Sequence, residues 1–429
     1  MDRFKSIKNY ASFPRNVQII VISELILAGA FGIYGFLQIL YLNEIKIPPD
    51  KIGILFSIGA LSSMVGFFVG PFINILGRKT VLTAGCLLSA LGMGFYVVFI
   101  SYFMLLIAQI LVNIGLCFIQ VTELQLLYSY TTPDKECCAY SYKSSVNFIA
   151  STLGGLLAGN INKIPIFINV SYKILFLLAT MMTIGAFIIR LFLLPKDKRI
   201  KSDSKVVNKA LKNALTLFKT HKRIRVFAMF LFILSVGGSA IWPYNNLILK
   251  NQFNLNNTII SIINFIITSL NMVSITLMPM VIEKLGIRKF ELLAMLGIVL
   301  STFFLSLGLP TVIFIVALIC RAASACLVGS SLDSSMMSHI ELENRDIFAG
   351  VKLLVNGLSS SIGNFIGGLI IDKLTYRGIY VYGFVLMIIT TLVFYLKVTK
   401  YFDEEIHIKM LKERHCKCHM RYTYVQRKI

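Results

Sequence analysis

Twelve long apolar segments, separated by mostly short polar loops, limit what this chain can fold into. About 20 mostly apolar residues suffice to cross a bilayer as an α-helix. The chain is 56% hydrophobic and 14% charged, whereas soluble domains carry about 25% charged residues. The pattern therefore predicts an all-α polytopic membrane protein with twelve transmembrane helices. The segments lie near 17–42, 52–76, 80–100, 102–128, 139–162, 172–195, 224–249, 257–282, 289–308, 311–335, 346–371 and 378–398.

The positions of lysine and arginine predict the orientation. Most of the 42 basic residues lie in the two termini and the even-numbered loops, and such residues mark the cytoplasmic side. Both termini are therefore expected in the cytoplasm, in a multi-pass protein of the plasma membrane. The basic loop 196–223 separates two six-helix bundles, 1–195 and 224–400, and a cytoplasmic tail follows at 401–429. A net charge of +22 in this arrangement indicates contact with an anionic leaflet of the lipid bilayer rather than with nucleic acid.

The two bundles match each other in sequence. A shift of 209 residues places Gly77 on Gly286 and Lys143 on Lys352. Both matches fall at equivalent places in their bundles, which indicates a parallel internal repeat of the kind found in transporters.

The loops between helices carry a family motif. The segment Gly70-Pro-Phe-Ile-Asn74-Ile-Leu-Gly77-Arg78-Lys79 resembles the Gly-x-x-x-Asp-Arg-x-Gly-Arg-Arg loop of the major facilitator superfamily, with Asn74 in place of Asp and Ile75 in place of Arg. The second copy keeps Glu283, Lys284, Gly286 and Arg288. The resemblance implies two pseudo-symmetric bundles, a central cavity between helices 1, 4, 7 and 10, and no cofactor.

Polar residues at helical spacing occur in those same four segments. Positions separated by 4, 7, 11 or 14 residues share one face of a helix. We expect this face to contact a small-molecule substrate or the coupling ion. The expected residues are Glu24, Gln38, Gln109, Asn113, Gln120, Trp242, Asn246 and Arg321.

Two charged residues of this set lie deepest in the predicted helices. An arginine at mid-membrane costs ~2.5–3.5 kcal/mol on insertion scales, so Arg321 is expected to bind substrate or take part in coupling, with a structural ion pair as the alternative. Glu24 resembles the helix-1 acidic residue of drug/proton antiporters. Since burial disfavours a charged carboxylate, Glu24 is the candidate proton-exchanging group, influenced by Arg321 across the cavity. The alternative is a fixed partner of Arg321 or of a lysine.

Other charges are expected near the cytoplasmic ends of the helices. Arg190 is expected to snorkel from the end of helix 6. Lys143 and Lys352 either snorkel or face the cavity. A gating charge cluster is predicted from Gly77, Arg78, Lys79, Glu123, Glu283, Lys284, Gly286, Arg288, Asp333 and Arg345.

Motifs for catalysis are not evident. The chain contains neither the phosphate-binding loop of an ATPase nor a nucleophile–base constellation, so we expect no enzyme. The tail segment His415-Cys416-Lys417-Cys418-His419 packs its ligands too closely for common zinc patterns, and no metal site is assigned to it.

Together these features predict a monomeric secondary transporter that exports an amphipathic compound in exchange for protons. An importer or uniporter of a small metabolite remains an alternative. A non-transporting receptor or scaffold on the same fold also remains an alternative, although the polar faces of the four helices argue against it.

Overall fold

The computed structural model describes residues 13–132, 135–163, 171–195, 218, 220–340 and 344–401. Over these ranges the chain is α-helical, as predicted. The basic loop from 196 to 217 and the tail segment His415–His419 lie outside the described residues. The bundle boundaries predicted at that loop therefore stay predictions.

Twelve helices follow one another in the described part of the chain, in the order predicted. They are α1 Arg15–Glu44, α2 Pro49–Ser62, α3 Arg78–Val98, α4 Tyr102–Ser129, α5 Glu136–Asn160, α6 Tyr172–Leu193, α7 Lys222–Ile241, α8 Asn257–Leu285, α9 Ile287–Ser306, α10 Thr311–Ser338, α11 Arg345–Lys373 and α12 Tyr376–Val393.

Three helices continue beyond a change of winding. Helix α2 passes through a 3-10 stretch, Ser63–Phe68, into Val69–Leu76. Helix α7 tightens to a 3-10 turn at Trp242–Tyr244 before Asn245–Asn251, because a proline at its centre removes a backbone donor. Helix α12 runs into a π-helical turn, Phe394–Val398.

Length and composition alone qualify eleven of these helices as membrane spans among the described residues. Helix α5 is the twelfth, and it carries Glu136 and Lys143 on a face rich in serine and asparagine. It packs against α1 and α8. The fold therefore packs this polar helix between α1 of one bundle and α8 of the other.

The sequence repeat has a counterpart in the backbone. Gly77 (φ 87°, ψ 151°) and Gly286 (φ 76°, ψ 150°) each separate two helices at equivalent places. These angles are essentially accessible to glycine alone. Gly154 and Gly363 are a second matched pair, and a Cβ on either would clash with a backbone oxygen of α1 or α7, respectively. The parallel repeat predicted from the sequence is thus present in the structure.

The side on which α6 ends and α7 begins is called the linker side here, and the opposite side the far side. The two bundles meet along α2–α11 and α5–α8. On the far side they are joined by hydrogen bonds, for instance from Asn160 to Ser261 (3.1 Å) and between Asn43 and Asn251 (3.2 Å). A hydrophobic cluster that includes Leu37 and Ile248 also spans both bundles. The far side is therefore closed.

Candidate functional site

A cavity of about 300 Å³ lies between the bundles and is called the central cavity. Helices α1 and α5 form one wall, and α7 and α8 form the other. Four aromatic side chains line it: Phe31, Phe36, Trp242 and Phe265. Its polar lining consists of Ser151, Thr152, Asn245, Asn246, Ser261, Asn264 and Thr268. Such a wall can take a ring and hydrogen-bond to substituents on it.

Two of the predicted substrate residues lie in this cavity. Trp242 lies in the 3-10 turn of α7, is 59% exposed, and is one of the residues that line the cavity. The side-chain oxygen of Asn246 accepts a hydrogen bond from Asn264 (2.9 Å), and its amide donates to the carbonyl of Phe36 (3.5 Å). Asn246 thus bridges the two bundles at the cavity wall.

A second cavity of about 420 Å³, called the charged cavity, lies within the N-terminal bundle. It shares Phe31 and Ser151 with the central cavity, so the two adjoin. The predicted residues Glu24, Gln120 and Glu123 line it. The two cavities together form a polar space that continues away from the closed far side.

Four charged side chains meet at this second cavity. Glu24, Glu123, Lys143 and Arg190, from α1, α4, α5 and α6, are called the charge quartet. Lys143 lies 3.2 Å from Glu24 and 3.3 Å from Glu123, and Arg190 lies 3.0 Å and 2.8 Å from the same two carboxylates. Two positive and two negative charges therefore cancel within a single ring of contacts.

Neutral groups complete the quartet. Arg190 also donates to the hydroxyl of Ser23 (2.9 Å), and Asn147 donates to Glu24 (2.5 Å). Arg190 is fully buried, so the expectation that it snorkels is wrong. Although it lies only three residues from the end of α6, two carboxylates inside the bundle hold its guanidinium.

The partners of Glu24 and Glu123 also differ from the predicted ones. Glu24 pairs with Lys143 and Arg190 rather than facing Arg321 across the cavity. Glu123 binds the same two cations, not the predicted basic residues of the loops. Only the alternative of a lysine partner for Glu24 agrees with the structure.

The predicted substrate residues Gln38 and Gln109 belong to a buried amide–tyrosine network. The amide of Gln38 donates to the hydroxyls of Tyr34 (2.8 Å) and Tyr96 (3.0 Å), and also to Gln109. Both hydroxyls donate in turn to the oxygen of Gln109 (3.0 and 3.1 Å). Asn113 donates to the backbone of its own helix (2.8 Å). These three residues are therefore occupied within the N-terminal bundle, outside the central and charged cavities.

The predicted gating residues are distributed over several contacts. Asp333 pairs with Lys352 (2.5 Å), where the carboxylate is 55% exposed. Lys79 donates to the carbonyl of Leu194 (2.5 Å), and Arg345 donates to that of Ile340 (3.0 Å). Glu283 and Lys284 are exposed at the end of α8, and Arg78 and Arg288 are half-buried at the starts of α3 and α9. The predicted pairing of Glu123 and Asp333 with these loop cations is absent from the ion pairs of the described residues.

The C-terminal bundle holds two buried charges of another kind. Arg321 is 3% exposed, its Nε atom lacks a hydrogen-bond partner, and no ion pair of the described residues includes it. Glu291 in α9 is fully buried, and neither of its carboxyl oxygens has a hydrogen-bond partner among those residues. The sequence analysis did not single out Glu291, because it considered polar residues only in helices 1, 4, 7 and 10 and charges near loops. A single Glu in an otherwise apolar segment was the available signal.

The comparisons with known proteins agree with this geometry. The family model of the Major Facilitator Superfamily matches residues 20–351 and 227–413. No curated protein matches the chain in sequence.

Solved structures resemble the chain over most of its length. The nucleoside transporter NupG matches with a TM-score of 0.71 and 15% identity, over 90% of this chain and 100% of that one. A POT family transporter in complex with a thioalcohol conjugated peptide reaches 0.70 and 15% over 90% and 97%. A D-xylose-proton symporter reaches 0.69 and 14% over 89% and 96%. At such identities these likenesses show the fold alone.

Proposed function

The chain belongs to the major facilitator superfamily, and on that premise we propose that it carries a small amphipathic solute through the central cavity by alternating access, driven by protons. Membership in this superfamily agrees with the expectation of a membrane transport protein rather than an enzyme. The solute class, the proton and the route are the proposal.

The central cavity is the observation that carries this proposal. Each of the two bundles contributes one wall, so rocking one bundle against the other would change access to it. Four aromatic rings and several amides and hydroxyls line it, which suits a compound with an apolar ring and polar substituents. The structurally similar proteins include a nucleoside transporter, a transporter in complex with a conjugated peptide and a D-xylose-proton symporter, and they support a small solute. A scaffold or receptor has no need of such a space.

Proton coupling is better supported at Glu291 than at Glu24. Glu24 accepts hydrogen bonds or ion pairs from three groups, which stabilise its charged form. Glu291 lacks every such contact among the described residues, and an unpaired charge there would be costly. The neighbouring Ser331 commits its hydroxyl proton to the carbonyl of Leu327 (2.7 Å). The Ser331 oxygen is thus able to accept a hydrogen bond from the carboxyl group of a neutral Glu291.

The direction of transport, the plasma-membrane location, the cytoplasmic termini and the monomeric state stay predictions from the sequence.

Efflux and uptake use the same cavity, so the test of the proposed function must include both directions. Purified protein reconstituted into liposomes should move one member of a labelled panel of nucleosides, dipeptides, pentoses and aromatic acids faster than protein-free liposomes do. A pH gradient of one sign should then drive the accumulation of this solute inside the liposomes.

Variants of the cavity wall test whether the solute passes through the central cavity. Asn246→Ala should slow transport about two- to tenfold, because one hydrogen bond contributes about 0.5–1.5 kcal/mol. Val316→Ala, on an exposed surface of α10, is the matched control and should transport at the normal rate. Equal rates in both variants would place the solute elsewhere. Absence of any flux above protein-free liposomes would favour the scaffold.

A further inference from the structure

Arg321 is a buried cation that no carboxylate of the described residues neutralises. It lies ten residues into α10, which is about 15 Å from the far end of that helix. It is 3% exposed, and neither an ion pair nor a hydrogen bond is present for it in the described part of the chain. Arg190, the other buried arginine among the described residues, has two carboxylates in contact. The two sites therefore differ in what balances the charge.

The buried carboxylates among the described residues all lie away from Arg321. Glu24 and Glu123 are committed to the charge quartet of the other bundle. Glu291 lies beside Ser331, ten residues along α10 from Arg321 and hence about 15 Å away along the helix. Within the described part of the chain, a guanidinium that is always charged is thus kept apart from every buried carboxylate.

Tyrosine and asparagine side chains connect Arg321 to the central cavity. Its guanidinium interacts electrostatically with Tyr380. The hydroxyl of Tyr380 donates to the side-chain oxygen of Asn245 at 3.4 Å, a long hydrogen bond, and Asn245 lines the cavity. Tyr380 and Asn245 therefore stand between Arg321 and the central cavity, and the hydrogen bond that joins them is long.

We propose that Arg321 binds a carboxylate group of the transported solute, which displaces the contact between Tyr380 and Asn245. An uncompensated buried charge is costly, and a bound anion removes that cost. A guanidinium also presents a fork that matches a carboxylate in a bidentate pair. The aromatic rings of the cavity then hold the apolar part. This inference names the substrate class, and it rests on the proposed function.

Binding of three matched probes tests the inference. The protein is purified into nanodiscs of uncharged lipid, and its thermal unfolding midpoint is measured with sodium benzoate, benzamide or benzylammonium chloride at equal ionic strength. The three share a ring and differ in charge. Benzoate should raise the midpoint by about 2 °C or more, and the other two should not. If benzoate shifts it no more than benzamide does, the inference is overturned.

Two substitutions at Arg321 separate ligand binding from a structural role. Arg321→Met should abolish the benzoate shift and leave the midpoint without probe unchanged or higher, because it removes an uncompensated charge. Arg321→Lys should keep a smaller shift. A lower midpoint of Arg321→Met without probe would show a structural contact and contradict the inference, as would a full benzoate shift in that variant.

The readout is binding and does not require transport. Benzoate binding without flux in liposomes would refute the proposed function alone. Flux of an uncharged solute at normal rate through Arg321→Met would refute this inference alone.

Discussion

The two bundles share one backbone plan but treat buried charge in opposite ways. In the N-terminal bundle, Glu24, Glu123, Lys143 and Arg190 contact one another within 3.3 Å and sum to zero charge. In the C-terminal bundle, the enclosed Arg321 and Glu291 each stand without an ionic or hydrogen-bonding partner among the described residues. The first arrangement holds four helices together. For the second we propose external partners, a carboxylate of the solute at Arg321 and a proton at Glu291.

The internal repeat makes this difference instructive. Lys143 and Lys352 are repeat mates, and each pairs with a carboxylate of the preceding helix, Glu123 or Asp333. The shared part of the design is therefore a lysine–carboxylate pair. The N-terminal bundle adds a second acid and an arginine that enclose it. The C-terminal bundle leaves the pair at an exposed surface, with Asp333 55% exposed.

The largest expected effect comes from opening the charge quartet. Arg190→Met leaves two buried carboxylates with one lysine, and breaking such a pair costs about 3–5 kcal/mol. We expect a large fall in the thermal unfolding midpoint of the purified protein.

A charge-matched variant is the control for this loss. Arg190→Met combined with Glu123→Gln removes one charge of each sign and should recover most of the stability, since a neutral replacement of a buried pair is often tolerated. If single and double variants unfold at the same midpoint, the quartet is not a charge-balanced unit.

A second prediction compares the two repeat mates directly. Lys143→Met should destabilise the protein by about 3 kcal/mol or more, because it leaves buried acids in excess. Lys352→Met should cost about 0–1 kcal/mol, the range of exposed ion pairs. Unfolding midpoints measured side by side test this, and equal losses would mean that both bundles rely on the pair alike.

A smaller and symmetric effect is expected at the two helix breaks. Gly77→Ala and Gly286→Ala each place a Cβ on a backbone that favours glycine, at a cost of about 1–3 kcal/mol. A Cβ at Gly286 would meet no atom within 4 Å, so the loss there reports backbone strain alone. Here the bundles should respond alike, and a loss confined to one of them would show that the repeat differs in backbone as well as in charge.

The architecture could be predicted from the sequence because it depends on local patterns. Apolar length gave twelve helices, and the matched glycines Gly77 and Gly286 gave the repeat, which the backbone angles confirm. Helical spacing also predicted that Trp242 and Asn246 face a cavity, and both residues line the central cavity.

The partners of charged residues could not be predicted in this way. The distance of Arg190 from its helix end favoured snorkelling, yet partners on α1 and α4 hold it inside. Spacing likewise put Gln38 and Gln109 on cavity-type faces, but Tyr34 and Tyr96 from inside the bundle occupy them. A single sequence shows which face of a helix is polar and not which neighbour that face contacts.

The measurement that tests the central claim most directly compares the carboxylates of the two bundles in one assay. Liposomes containing Glu291→Gln, or the charge-matched variant Glu24→Gln with Lys143→Met, are loaded with the transported solute, and counterflow and accumulation driven by a pH gradient are recorded. We expect Glu291→Gln to keep counterflow but lose at least about tenfold in accumulation, since it cannot exchange a proton. The charge-matched variant should accumulate the solute in response to the gradient. Normal accumulation by Glu291→Gln, with its loss in the other variant, would contradict the account and return proton exchange to Glu24.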